Sequence, residues 1–135
     1  MMEWADYQFA DKTILVVEDI DTSIKFFDAA LRKSQAKILW SKTGEEAIEI
    51  LENHIADIDL VLLDLNLPGV NGFDVLKYLR DIDPELPVIV QTAYLFSGER
   101  KTSLSMGANG FISKPVQLVE LLNNIAKFLN PELNN

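Results

Sequence analysis

Glu18 and Asp19 stand side by side at the end of a short apolar run, and Asp64, Thr92 and Lys114 each follow or close a later run of the same kind. If these runs are neighbouring strands, three carboxylates, one hydroxyl and one ammonium converge on one crevice. Each residue has a plain alternative. A single acid just before a helix serves as an N-cap, accepting orphan N–H groups at the positive end of the helix dipole, and Asp19 alone reads equally well that way. Thr92 alone is an ordinary strand residue, and Lys114 alone a solvated lysine. The combination changes the reading. Acids packed together raise one another's pKa unless a cation sits between them. Hard oxygen ligands suit Mg2+, which keeps several waters and is commonly held by one or two carboxylates. Such a metal neutralises the oxygens of an incoming phosphoryl group. A carboxylate can act as the nucleophile and form an aspartyl phosphate. Lys114 and Thr92 would then give a positive charge and a hydrogen-bond donor to the remaining oxygens.

The elements that must position these groups are legible as alternating short apolar runs and helix-period segments. Thr13 to Val17 is a β-rich run without polar alternation, as expected of a strand buried on both faces. Ile38 to Trp40, Leu60 to Leu63, Val88 to Val90 and the short Phe111 to Ile112 are the other strand candidates. Between them, apolar residues recur three and four apart: Ile20, Ile24, Phe27 and Leu31; Ala47, Ile48 and Leu51; Val75, Leu76 and Leu79; and Leu118, Leu121, Leu122, Ile125 and Leu129. A fourth helix, Ser97 to Met106, is polar and poorly patterned. Thr43-Gly44-Glu45, Pro84 and Pro87, Gly107 and Pro131 punctuate these segments where helices and strands should begin or end. Five β-then-α units imply a doubly wound parallel sheet with helices on both faces, because the crossovers are right-handed. In such sheets the site lies beyond the carboxyl ends of the strands, where the acids, Thr92 and Lys114 fall.

Composition narrows the function classes. A chain of 135 residues suggests one domain, and 48% hydrophobic with 24% charged residues excludes wholesale disorder. A net charge of −9 argues against direct nucleic acid binding or attachment to anionic membrane. Without cysteine there is no disulfide, thiolate zinc site or cysteine nucleophile, and one histidine cannot build a multi-histidine metal site. No apolar stretch long enough for membrane insertion and no leader pattern occurs, so the expected location is cytoplasmic.

The motifs are Val16-Val17-Glu18-Asp19, then Val61-Leu62-Leu63-Asp64-Leu65-Asn66-Leu67-Pro68-Gly69 running on to Gly72. Val90-Gln91-Thr92-Ala93 follows, and then Gly107-Ala108 leading to Phe111-Ile112-Ser113-Lys114-Pro115. In this order they resemble the receiver domain of two-component response regulators, over about residues 12–129. The resemblance implies a flavodoxin-like (βα)5 fold with strand order 2-1-3-4-5. It divides the chain into an arm (1–11), the receiver (12–130) and a tail (131–135). It implies that Asp64 is the phosphoacceptor and that Glu18, Asp19, Asp64 and the backbone carbonyl of Asn66 hold Mg2+. It also makes Thr92 the switch hydroxyl, Lys114 the pocket lysine and Phe111 the switch aromatic. Asn66 and Tyr94 fall where phosphoryl lifetime is tuned. Lys114–Pro115 is expected to be cis. The pair Glu-Asp stands where Asp-Asp is commonest, so Glu18 is expected to reach the metal through water. Phe111 lacks the hydroxyl of a tyrosine, so its inward position would rest on packing.

The implied partner is a histidine kinase or histidine phosphotransfer domain, and a homodimer through the fourth helix, fifth strand and fifth helix is the assembly expected. Ile20 and Ile24, beside the acids, are the expected docking residues, because the first helix has a wider apolar face than packing on one side of a sheet requires. The chain ends just after the fifth helix, so no output domain is expected within it. The Glu-Asp start and the stretch Leu39 to Ala47 look more like receivers of hybrid kinases than stand-alone ones. Two rivals share the sheet. A flavodoxin-like cofactor binder needs a Ser/Thr/Gly-rich phosphate loop where Glu18 and Asp19 stand. An aspartyl-nucleophile phosphatase needs a second acid where Asn66 stands. His54, placed after the second helix, reads as a surface histidine, Trp40 as packed at a sheet edge, Trp4 as part of a polar arm, and Asp81, Asp83 and Glu85 as a solvated loop.

Overall fold

A computed structural model describes residues 4–93 and 98–130. Tyr94, the expected helix start at Ser97 and the 131–135 tail lie outside the described residues, as does the side chain of Trp4. The strands are β1 (Thr13–Val17), β2 (Lys37–Ser41), β3 (Leu60–Asp64), β4 (Val88–Thr92) and β5 (Gly110–Ser113). The helices are α1 (Asp21–Arg32), α2 (Gly44–His54), α3 (Gly72–Ile82), α4 (Glu99–Ser105) and α5 (Leu118–Leu129). All strands pair in parallel, in the order β2-β1-β3-β4-β5. This is the flavodoxin-like doubly wound fold expected from the five β-then-α units. No helix among the described residues is long and apolar enough to cross a membrane.

Period-two alternation sends neighbouring strand residues to opposite faces, which is why the runs carry no polar alternation. Leu15, Val17, Val61, Leu63, Val88 and Val90 meet Ala47 and Leu51 of α2 and Val75, Leu76 and Leu79 of α3. Ile14, Val16, Leu60, Leu62, Ile89 and Ile112 face Phe27, Ala30 and Leu31 of α1 and Leu121, Leu122, Ile125 and Ala126 of α5. Trp40 is half-buried on edge strand β2, as expected. The arm contributes to this second core. Tyr7 and Phe9 are buried in it, Tyr7 Oη donates to Asn123 Oδ1 at 2.6 Å, and Phe9 N donates to Ser34 O at 2.7 Å.

Local chemistry sets the helix starts. Thr43 Oγ1 accepts from Glu46 N at 3.0 Å, and Asn71 and Asp74 form a reciprocal capping box at α3. Three details differ from the sequence reading. Ile20 is the N-cap of α1 rather than a residue within the helix; it lies 49% exposed, on the edge expected to stay open, and the buried residues of α1 are Phe27, Ala30 and Leu31, with Ile24 half-buried beside them. His54 is exposed but ends α2 rather than following it. Asp83 is more than a solvated residue, since its Oδ1 accepts from Glu85 N and Leu86 N at 2.8 and 3.1 Å and shapes the turn into β4.

The register places the site. Val17 pairs with Leu63, Asp64 with Gln91, and Thr92 with Ser113. Glu18, Asp64, Thr92 and Lys114 therefore lie along one edge of the sheet.

Candidate functional site

Asp64 ends β3 and is 1% exposed. Its Oδ1 accepts from Asn66 N at 2.8 Å, and its Oδ2 accepts from Lys114 Nζ at 3.0 Å. Gly72 allows the carboxylate to sit there. The first turn of α3 lies directly on the backbone of Asp64 and Leu65, and a Cβ at position 72 would collide with Asp64 O and Leu65 Cα. Lys114 follows β5, and its peptide bond to Pro115 is cis, as expected. Its ammonium also reaches Glu18 Oε1 at 2.9 Å, so one cation bridges two buried acids.

Glu18 is buried, and its Oε2 accepts from Asp19 N and Ile20 N at 3.0 and 3.3 Å. Its carboxyl is pushed up to about 7, by burial first and then by Asp64 beside it, with Lys114 opposing both. Burial also works against the Lys114 charge, but hydrogen bonds and charges from Glu18 and Asp64 outweigh it and hold the ammonium above its ordinary value. Asp19 is half-buried and does not cap α1, so the plain alternative fails. Instead its Oδ1 is buried with no hydrogen-bond partner. Carboxylate oxygens of Glu18, Asp19 and Asp64 all lie within 4.8 Å of one another. Three clustered acids with one orphan oxygen and a single bridging ammonium are chemically suited to a hard divalent cation.

Thr92 is fully buried at the end of β4. Its Oγ1 accepts from Asn66 Nδ2 at 2.7 Å and donates to Glu99 Oε1 at 2.7 Å. Glu99, the first residue of α4, escaped the sequence reading because its helix is too polar to show which side chains turn inward. Phe111 is half-buried, packed against the core on the α2–α3 side. Beside the pocket, a groove of about 440 Å³ runs between α1 and the segment that follows β5, lined by Phe26, Phe27, Gln91, Lys114, Pro115 and others.

An acid triad with two buried members, a bridging lysine and a strand-end hydroxyl on the carboxyl edge of a 2-1-3-4-5 sheet define the phosphoacceptor class of flavodoxin-like domains. The family model for the response regulator receiver domain matches residues 14–126, and the chain belongs to that family. It is a receiver domain of a two-component signal-transduction system, a phosphoacceptor switch rather than an independent enzyme. The polar-differentiation response regulator DivK of Brucella abortus is 32% identical over 121 residues, covering 87% of this chain and 96% of the relative. The receiver domain of sensor histidine kinase PA1611 from Pseudomonas aeruginosa, solved with a magnesium ion in its active site cleft, is 26% identical with a TM-score of 0.80. That match covers 89% of this chain and 98% of the other. The receiver domain of yeast Ssk1, solved with the histidine phosphotransfer protein Ypd1, is 25% identical with a TM-score of 0.80, covering 89% and 90% of the two chains.

Proposed function

We propose that Asp64 takes a phosphoryl group from a histidine of a kinase or phosphotransfer protein. The observation that carries this is the Asp64 carboxylate itself, buried among acids with one oxygen on Lys114 Nζ and the other on Asn66 N. A carboxylate oxygen attacks phosphorus, the bond from phosphorus to the partner's imidazole nitrogen breaks, and the imidazole leaves with the electron pair. Glu18, Asp19, Asp64 and the Asn66 carbonyl would hold Mg2+, which when bound neutralises charge on the transferring phosphoryl oxygens. The PA1611 receiver, solved with magnesium in its active site cleft, supports a magnesium site in this pocket. Glu18, already engaged with Lys114 and two backbone amides, suits contact through water. Lys114 holds Asp64 in place and offers its charge to the phosphoryl group. Thr92 offers a hydroxyl, and Phe111 packs where a conformational change could move it.

Ile20 and Ile24 form the docking edge of this reading, and the pairing of Ssk1 with Ypd1 supports a histidine phosphotransfer partner. A second copy would meet this chain through α4, β5 and α5, where Leu104 is 41% exposed; sedimentation of the phosphorylated protein tests that assembly. Acetyl phosphate with Mg2+ should give an acid-stable, base-labile acyl phosphate, which EDTA or Asp64→Asn abolishes. Equal labelling of the Asn variant overturns the assignment.

A further inference from the structure

We infer that Glu99 is a positioning residue that holds the Thr92 hydroxyl, and with it the start of α4, in the unphosphorylated arrangement. This rests on the phosphoacceptor reading of Asp64 and deepens it. A hydroxyl has one proton, and a carboxylate can only accept, so at 2.7 Å the Thr92 proton lies on the bond to Glu99 Oε1. Asn66 Nδ2 approaches the same oxygen as a donor at 2.7 Å and reinforces that orientation. A phosphoryl group on Asp64 also accepts only. Thr92 can donate to it only by withdrawing its proton from Glu99.

The two acceptors therefore compete for one proton, and each state forfeits the bond that the other makes. Glu99 is well placed to transmit the loss. It opens α4, a helix of seven residues in which Ser103 is the buried residue, following Gly98 at a φ of 76°. So little buried surface leaves the anchor at its N-terminus a large share of what fixes the helix to the sheet. Hydrogen bonds to charged groups are roughly twice as strong as neutral ones. Releasing this one should move a two-state balance by roughly tenfold.

Beryllofluoride with Mg2+, a phosphoryl mimic followed by 19F NMR, tests the competition. Glu99→Ala should bind it roughly tenfold tighter than wild type, and Glu99→Gln, which keeps an acceptor without the charge, should gain less in the same direction. In a Thr92→Val background the Glu99→Ala gain should vanish. A merely structural role for Glu99 would lower affinity along with thermal stability, the opposite sign. Equal affinity of Glu99→Ala and wild type, or a gain that persists without the Thr92 hydroxyl, overturns the inference. Wild-type protein that takes up neither acetyl phosphate nor beryllofluoride overturns the phosphoacceptor reading together with it. Normal labelling at Asp64 with no Glu99 effect overturns the latch alone.

Discussion

Gly72→Ala tests whether backbone contact between α3 and β3 sets the position of Asp64, the proposed nucleophile. An ideal Cβ there stands 3.0 Å from the Asp64 carbonyl carbon and closer still to Asp64 O and Leu65 Cα. Carbon atoms at optimal separation sit about 3.5–4.0 Å apart, so α3 must retreat from β3 by roughly 1 Å. The colliding atoms are backbone, with no rotamer to relieve them. The retreat also loosens Val75, Leu76 and Leu79, each fully buried against the sheet. Overpacking of this kind costs about 2–3 kcal/mol. For a domain of this size, that lowers Tm by roughly 5–10 °C. The Asp64 carboxylate shifts with its backbone, and misplacing a reacting group by about 1 Å can slow a reaction roughly a hundredfold. Acetyl phosphate labelling at 15 °C, well below the variant's Tm, separates misplacement from unfolding. A variant that melts and labels like wild type would refute the reasoning.

Three further substitutions probe other parts of the structure. Gln91 is 3% exposed and neither its Nε2 nor its Oε1 has a hydrogen-bond partner, so Gln91→Leu should stabilise the fold by about 1 kcal/mol, read as a higher Tm; a lower Tm would show the amide is needed. Arg80 ties α3 to the chain before β5, donating to Gly107 O at 2.8 Å, Asp83 O at 2.9 Å and Asn109 Oδ1 at 2.7 Å. Arg80→Ala should cost about 2 kcal/mol in urea unfolding, and an unchanged midpoint would mean the clip carries no stability. Ile24 is half-buried above a groove it shares with Trp40 and Lys42, outside both cores. Ile24→Lys should slow phosphotransfer from a protein donor several-fold while acetyl phosphate labelling and Tm stay within error; a large Tm loss would place Ile24 in the core.

What the sequence made legible was whatever repeats or is buried on both sides. The runs at Thr13, Leu60 and Val88 lack polar alternation because helices cover both faces, and that absence announces a parallel sheet. Once the strands are in register, their end residues fall together, so Glu18, Asp64, Thr92 and Lys114 needed no further signal. The miss at α1 has a physical cause. Ile20 shares helical spacing with Ile24, Phe27 and Leu31, but the chain enters α1 in an extended conformation at residue 20, so the periodicity ran one residue past the helix start. Tyr7 and Phe9 alternate on a short polar segment, too brief to declare a buried face. Glu99 and Arg80 were invisible for another reason. Glu99 meets Thr92 Oγ1, and Arg80 reaches Gly107 O and Asn109 Oδ1 well along the chain, and no local pattern specifies such bonds.

The pocket's reactivity and its capacity to switch come from the same shortage of compensating groups. Glu18, Asp19 and Asp64 crowd together with one ammonium between two of them, and Asp19 Oδ1 is left without a partner. A fold selected for stability alone would pair or remove such charges, since buried carboxylates are expensive to desolvate. Here the unmet demand is what a cation and a phosphoryl group can satisfy. Asn66 carries the consequence outward, because its backbone N–H holds Asp64 Oδ1 while its side chain holds Thr92 Oγ1. A line of hydrogen bonds thus runs from Asp64 through Asn66 and Thr92 to Glu99 at the start of α4. Lys114 makes a second link, from the same carboxylate to the end of β5 and the approach to α5. In the proposed function, phosphorylation of Asp64 would change what both lines bind at their shared end. The face formed by α4, β5 and α5 therefore has two physical connections to the site, through a proton that Thr92 can give once and an ammonium already divided between two acids.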